Sequence, residues 1–177
     1  QFSASRVPVR EALKLLSSEG IIEHDPNRGF FVTRLSSAEA EQLFTLRNLV
    51  EDELMRTVAW PDAAQLAELE AHALRMEETL NAGDRQNWWA EHRAFHTAIF
   101  DLSPNKIIMR ETMRLWALTD RFRALLPMPR RQSEERDVVN KQPILDALRA
   151  RDREQLTAAR RQRRHAFENL VREMLEA

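Results

Sequence analysis

The sequence has no cysteine, only three glycines and no long apolar run. Without cysteine the chain has no disulfide framework, no thiolate zinc finger and no cysteine nucleophile. Three glycines in 177 residues are under a third of the average share of about 7%, which is too few for a β-rich fold with many turns. No apolar stretch approaches the roughly 18 residues of a membrane helix, and the first residues lack a signal-peptide core. These absences predict a mostly helical, cytoplasmic protein with no membrane partner.

Length and charge limit the organisation further. At about 100–200 residues per domain, 177 residues form one domain, or one domain with a small appendage. The net charge is −1, so nucleic-acid binding would require a local basic patch. Because the chain starts at Gln1, we expect it to be a fragment of a longer protein.

The first 34 residues predict one helix followed by a β-hairpin. Apolar residues recur at helical spacing over 5–19, and Gly20 suits the position just past a helix end. Two short β-prone runs, 21–24 and 30–33, flank a turn over 25–29 that contains proline and glycine. We expect a recognition helix and a two-stranded wing.

From Leu35 onward the sequence predicts helices alone. The capping-box pattern Ser36-x-x-Glu39 opens the first of them. Pro143 falls inside a predicted helix and is expected to kink it. We therefore predict a bundle of about six helices over 35–177, separate from a domain over 1–34. Its helices are expected over 36–59, 62–81, 85–101, 105–126, 133–150 and 153–175.

Basic residues line the first predicted helix opposite its apolar stripe. Arg6, Arg10 and Lys14 recur at i, i+4 and i+8, a spacing that places them along phosphates or guanine edges. A solvated charged face explains the same spacing. The adjoining hairpin favours DNA binding, because a wing tip with Arg28 and Gly29 can enter the minor groove.

The run Ser5-Arg-Val-Pro-Val-Arg-Glu-Ala-Leu13, followed by Gly20 and by Pro26-Asn-Arg-Gly-Phe-Phe-Val32, resembles the winged helix-turn-helix of GntR-type transcription regulators. The two helices that precede the recognition helix in that family are missing, so the winged domain is truncated, and this fragment is expected to bind DNA poorly or not at all. The resemblance implies operator contacts at six residues, namely Ser5, Arg6, Val7, Arg10, Arg28 and Gly29.

Three later helices each carry a basic or imidazole group on an apolar stripe. His92 and His96 share a face with aromatic residues, Lys141 lies on a stripe with leucines, and Arg163 lies on the stripe of the last helix. An unpaired buried charge costs several kcal/mol, so an anionic guest would explain the arrangement. Alternatively, the cations reach the domain edge or meet an acidic partner, and the histidines are ordinary core residues.

Residues 36–177 resemble the FCD ligand-sensing domain of the FadR-like branch of GntR regulators. The matching stretches are Leu43-Phe-Thr-Leu-Arg47 with Glu51, Phe95-His-x-x-Ile99 with Asn105, and Ile144-Leu-x-Ala-Leu-x-Ala-x-Asp152. Many members bind a divalent metal through an aspartate and three histidines.

By position those four metal ligands would be His92, His96, Lys141 and Arg163, so only His96 keeps the family's residue type. Cations repel a metal ion. His165 lies roughly 200° around the helix from Arg163 and is a poor substitute. We therefore expect these four residues to bind a small anionic metabolite directly, with no cofactor required. A divalent metal on His92 and His96 stays the alternative.

The leading hypothesis is an effector-responsive transcription regulator that binds operator DNA as a homodimer and is not an enzyme. Half-site spacing in an operator mirrors the two-fold symmetry of the protein. One alternative is a helical-bundle metal-dependent enzyme that uses His92 and His96, although the sequence lacks the paired Glu-x-x-His pattern of such enzymes. The other alternative is an interaction module that does not bind DNA.

Overall fold

The computed structural model describes residues 6–18, 20, 22–33, 36–127 and 140–176. Within these ranges the chain is mostly helical with one antiparallel hairpin near its start, which confirms the predicted fold class. The elements are α1 (Arg6–Ser18), β1 (Ile22–Asp25), β2 (Gly29–Val32), α2 (Ser37–Thr57), α3 (Ala63–Asn81), α4 (Arg85–Asp101), α5 (Lys106–Leu125), α6 (Gln142–Ala150) and α7 (Arg153–Glu176).

The hairpin forms where the turn sequence predicts it. Its register pairs Ile22 with Val32 and Asp25 with Gly29. The carboxylate of Asp25 accepts hydrogen bonds from the backbone N–H groups of Asn27 at 2.8 Å and Arg28 at 3.2 Å. Gly29 has a φ of +95°, a conformation that a side chain would strain.

Helix starts follow the capping rules at α3 and depart from them at α2. Asp62 accepts from the backbone N–H of Gln65, whose side chain accepts from the backbone N–H of Asp62. The capping box predicted at Ser36 is wrong, because Ser36 precedes α2 without a side-chain cap. Glu39 instead pairs with Arg121 on α5. Glu39 therefore takes part in a tertiary ion pair where local capping hydrogen bonds were predicted.

Within the described residues, the helix predicted over 133–150 begins later than expected. Asn140 and Lys141 are not helical, and α6 begins at Gln142. Pro143 therefore lies in the first turn, where its missing N–H costs no helical bond, and the predicted kink is wrong. Residues 133–139 of that prediction lie outside the described ranges.

The helices from α2 to α7 enclose two hydrophobic clusters. Helix α3 packs on α4, α2 packs on α5 and α7, and α6 packs on α7. Trp116 belongs to the first cluster and Phe167 to the second. The guanidinium carbons of Arg47 and Arg123 lie 4.9 and 5.2 Å from the Trp116 ring centroid and 5.8 and 4.6 Å from that of Phe167. Charged groups therefore occupy the space between the two clusters.

Candidate functional site

The four residues predicted to bind an effector are all buried. His92 and His96 lie one turn apart on α4 with ring centroids 4.6 Å apart. Lys141 immediately precedes α6, and its Nζ lies 3.5 Å from Nε2 of His96. Arg163 lies on α7 and is 7% exposed. Burial, and then the charge of Arg163, hold the pKa of Lys141 well below its ordinary value of 10.5. Neither cation reaches the domain edge, since Lys141 is 4% exposed.

A fifth residue, Arg160 on α7, completes this arrangement and was missed by the sequence reasoning. Its Nη1 lies 2.8 Å from Nδ1 of His96, and its Nη2 donates to the Glu51 carboxylate at 2.6 Å. Arg160 precedes Arg163 by three positions and follows Leu156 by four, so it lies on the same helical stripe. Helical spacing alone would have identified it.

Glu51 on α2 is a buried carboxylate whose negative charge offsets part of the positive charge of these residues. It accepts from Arg47 at 2.8 Å and from the indole N–H of Trp116 at 2.6 Å, in addition to Arg160. Burial alone would raise the pKa of Glu51, but the charges of Arg47, Arg160 and Arg164 outweigh it and lower that pKa to about 2. Glu51 is therefore ionised at neutral pH.

Both histidines are neutral at pH 7. Burial, and then the positive charges of Lys141 and Arg123, hold the pKa of His92 well below its ordinary value of 6.5. Burial, and then Arg160 and Lys141, do the same to the pKa of His96. Burial lowers the pKa of Arg123 to about 10, which still leaves this group charged.

The described interior holds more cations than carboxylates. We call its buried cations, together with His92 and His96, the basic cluster. The fully buried carboxylates in the described ranges are Glu51 and Glu168. The half-buried Asp52 and Asp120 pair with two of the buried cations, Arg164 and Arg123. Burying like charges together is costly unless an anion compensates them. The cations of the basic cluster are Arg47, Arg123, Lys141, Arg160, Arg163 and Arg164.

The basic cluster does not fit a divalent metal. Among the described residues, no three His, Asp or Glu side chains come together as a metal site would require. His96 has Arg160 beside one ring nitrogen and Lys141 beside the other. His165 is exposed on α7 and pairs with Glu168 at 3.4 Å. The donors here are those of an anion site, since guanidinium and ammonium groups repel metal ions.

Some of the residues predicted to contact DNA lie outside the residues that the structure describes. Ser5 lies outside it, and Arg6 and Val7 are described only as backbone of α1. Arg10 is exposed on α1, and Arg28 is exposed in the hairpin turn, 5.3 Å from the Phe31 ring centroid. The exposed placement of Arg10 and Arg28 is compatible with phosphate contacts, and their role stays a prediction.

None of the described helices is both long and apolar enough to cross a lipid bilayer.

Comparison with known proteins identifies the family. The model of the FCD domain matches residues 42–169, and the model of the bacterial regulatory proteins of the gntR family matches residues 1–32. The uncharacterized HTH-type transcriptional regulator YdhC of Bacillus subtilis is 29% identical over 109 residues, which cover 59% of this chain and 48% of the relative. The HTH-type transcriptional repressor GlaR of Escherichia coli is 30% identical over 124 residues, which cover 66% of this chain and 55% of the relative.

A solved structure shares the fold. The putative transcriptional regulator GntR from Rhodococcus sp. RHA1 superposes with a TM-score of 0.77 at 21% identity, over 96% of this chain and 81% of that one. The chain spans about half the length of the curated relatives it matches. Those relatives are named as transcriptional regulators, which supports the prediction that this chain is not an enzyme. The chain belongs to the GntR family of bacterial transcription regulators and carries an FCD domain.

Proposed function

We propose that this chain is the effector-sensing part of a regulator that binds operator DNA as a homodimer and responds to a small anionic metabolite. The effector lies against the basic cluster, and no divalent metal takes part. The observation that carries the proposal is the excess of cations over carboxylates in the described interior.

Buried hydrogen-bond donors without partners in the described residues support an anionic ligand. Nε of Arg160, Nε of Arg164 and Nδ1 of His92 are buried and make no hydrogen bond within the described part of the chain. A buried donor without a partner costs about 1–3 kcal/mol, and more when it is charged. A carboxylate supplies acceptors and negative charge together, and its hydrogen bonds to a guanidinium are charge-assisted.

Helix α5 connects the basic cluster to the N-terminal piece. Trp116, Thr119 and Arg123 face the cluster from this helix. On another side of α5, Cδ2 of Leu118 would lie 3.7 Å from a Cβ placed on Gly20, which follows the recognition helix. If α5 has two positions and a ligand binds them with different affinities, the ligand shifts the equilibrium between them, and the winged domains move with α5. The coupling free energy in such systems is typically about 1–3 kcal/mol.

Thermal unfolding in the presence of small carboxylates tests this function. A ligand at a hundred times its Kd adds about 2.7 kcal/mol to the free energy of unfolding, so acetate, malonate or a related acid should raise the Tm saturably. Arg160→Lys keeps the positive charge but loses the planar guanidinium group with its paired N–H donors. We expect this change to weaken carboxylate binding about tenfold. The matched control is Arg161→Lys, an exposed neighbour that pairs with Asp52. No rise in Tm with any carboxylate would contradict the proposal.

A further inference from the structure

A groove opens between the start of α4 and the end of α5, beside the basic cluster. Its volume is about 360 Å³, within the range of small-molecule sites. Five of its lining side chains are charged or aromatic, namely Arg85, Trp89, Arg93, Arg123 and the carboxylate Asp120.

Positive charge dominates this groove. Asp120 is shared, since it accepts from Arg93 at 2.5 Å and from Arg123 at 3.1 Å. Arg85 donates to the backbone carbonyls of Ala124 and Leu126, both at 2.7 Å. These carbonyls fix the position of the Arg85 guanidinium without neutralising it. Three guanidinium groups and one carboxylate leave a net positive groove that favours an anion.

An aromatic wall accompanies the charge. Trp89 is partly exposed to the groove, and the guanidinium carbon of Arg123 lies 5.0 Å from its ring centroid. Arg123 is itself 7% exposed and lies 5.2 Å from the Trp116 ring centroid. The Trp89 ring also contacts the His92 ring, with centroids 5.5 Å apart. The groove and the basic cluster therefore share Arg123 and meet at Trp89.

We propose that this groove binds the ring of a planar aromatic carboxylate, with the Trp89 indole as its stacking surface and the guanidinium groups of Arg85 and Arg123 as the partners of its carboxylate. Aromatic rings prefer offset or edge contacts with an indole, and these contacts add to the area that is buried. Guanidinium groups match a carboxylate with two parallel donors. The inference rests on the proposed function, because it names the chemical class of the effector.

Binding of two matched acids tests the inference on the intact chain. Benzoate and cyclohexanecarboxylate have the same charge and similar size, but only benzoate has an aromatic face. In isothermal titration calorimetry we expect benzoate to bind about fivefold tighter than cyclohexanecarboxylate. Trp89→Leu should remove this preference.

The matched control is Trp60→Leu. Trp60 lies between α2 and α3, where Arg153 covers its ring at 4.1 Å, and this change should leave the preference for benzoate intact. Equal affinities for the two acids in the unaltered chain, or an unchanged preference in Trp89→Leu, would overturn the inference. If malonate still binds in an Arg160-dependent way, the proposed function survives that failure. If no carboxylate binds, both fail.

Discussion

Glu51 is the residue on which the charge balance of the basic cluster depends. It is fully buried, and its partners Arg47 and Arg160 come from two different helices. Removing one partner of a buried ion pair leaves an uncompensated charge and costs about 3–5 kcal/mol. The many buried cations of the helical domain are thus tolerated in part because of one carboxylate.

The first prediction concerns Glu51 and acid stability. Its pKa falls from 4.5 to about 2 on folding, which corresponds to about 3 kcal/mol of stabilisation. Because the folded-state pKa is depressed, this stabilisation is complete above pH 4.5 and is lost as the pH falls from 4.5 toward 2. Urea unfolding at several pH values should show this loss, and Glu51→Gln should remove it while lowering stability at pH 7.

The control for that measurement is Glu53→Gln, two positions along α2. Glu53 pairs with Arg56 at the surface, where an exposed ion pair contributes little. We expect its acid profile to follow the unaltered chain. An acid profile of Glu51→Gln that retains the full loss between pH 4.5 and 2 would show that Glu51 is not the group responsible.

The second prediction concerns the buried histidines. The pKa of His92 is held well below 6.5 in the fold by burial and by Lys141, so the unfolded chain binds a proton that the folded chain does not. Stability is therefore full above pH 6.5 and decreases as the pH falls below it. His92→Phe should reduce that slope by about 1.4 kcal/mol per pH unit, measured by urea unfolding. His165→Asn, at an exposed position, should leave it unchanged.

At the residue scale the sequence predicted the buried basic groups well. Periodicity placed His92, His96, Lys141 and Arg163 in one interior, and the structure brings them together. Arg160 was missed although it lies on the same stripe. The pairing of Glu51 with Arg160 could not be predicted, because 109 positions separate them and only the packing of α2 on α7 brings them into contact.

At the scale of elements, the turn between α6 and α7 contains a strained residue. Arg151 has a φ of +54°, and it is the one non-glycine residue at positive φ in the described ranges. Its backbone N–H donates to the carbonyl of Leu148, and that of Asp152 donates to Ala147. This is a helix C-terminus that ordinarily takes glycine, since a side chain in the left-handed region costs about 1–2 kcal/mol.

The third prediction follows from that turn. Arg151→Gly should raise the free energy of unfolding by about 0.5–1 kcal/mol, because the relief of strain exceeds the extra entropy of glycine in the unfolded chain. Thermal or urea unfolding measures the change. The control is Ala150→Gly, the last residue of α6, which should lower stability by up to about 1 kcal/mol. Destabilisation by Arg151→Gly would mean that the Arg151 side chain stabilises the turn.

Element boundaries show where local rules hold and where packing overrides them. The hairpin and the helices over 85–101 and 153–176 lie close to their predicted positions, because turn residues and helical periodicity specify them locally. No side-chain cap forms at Ser36, and Glu39 pairs with Arg121, a residue 82 positions away. Local patterns carry no information about such a partner.

At the scale of the whole molecule, α5 lies beside both the basic cluster and the N-terminal piece. Arg121 on this helix pairs with Glu39 near the start of α2, and Leu118 faces Gly20. Arg123 on the same helix belongs to the basic cluster. A displacement of α5 on effector binding would therefore reach the segment that precedes the sensor domain.

The fourth prediction tests this link in the complete gene product. Arg121→Met should reduce the effector-induced change in operator affinity, by up to the typical coupling of about 1–3 kcal/mol, and leave effector affinity unchanged. Fluorescence anisotropy of labelled operator DNA, with and without effector, measures both. Arg114→Met is the control, since Arg114 is exposed on α5 and pairs within that helix with Glu111. An equal loss in both variants would rule out a specific role for Arg121.

The most direct measurement of the central claim is calorimetric titration of the purified, metal-stripped chain, first with zinc chloride and then with malonate. Because Arg160 and Lys141 flank His96, we predict no stoichiometric zinc binding. Malonate should bind saturably, with the same affinity in the presence and absence of EDTA. Tight stoichiometric zinc binding, or malonate binding that EDTA abolishes, would contradict the claim that the buried cations hold an acid without a metal.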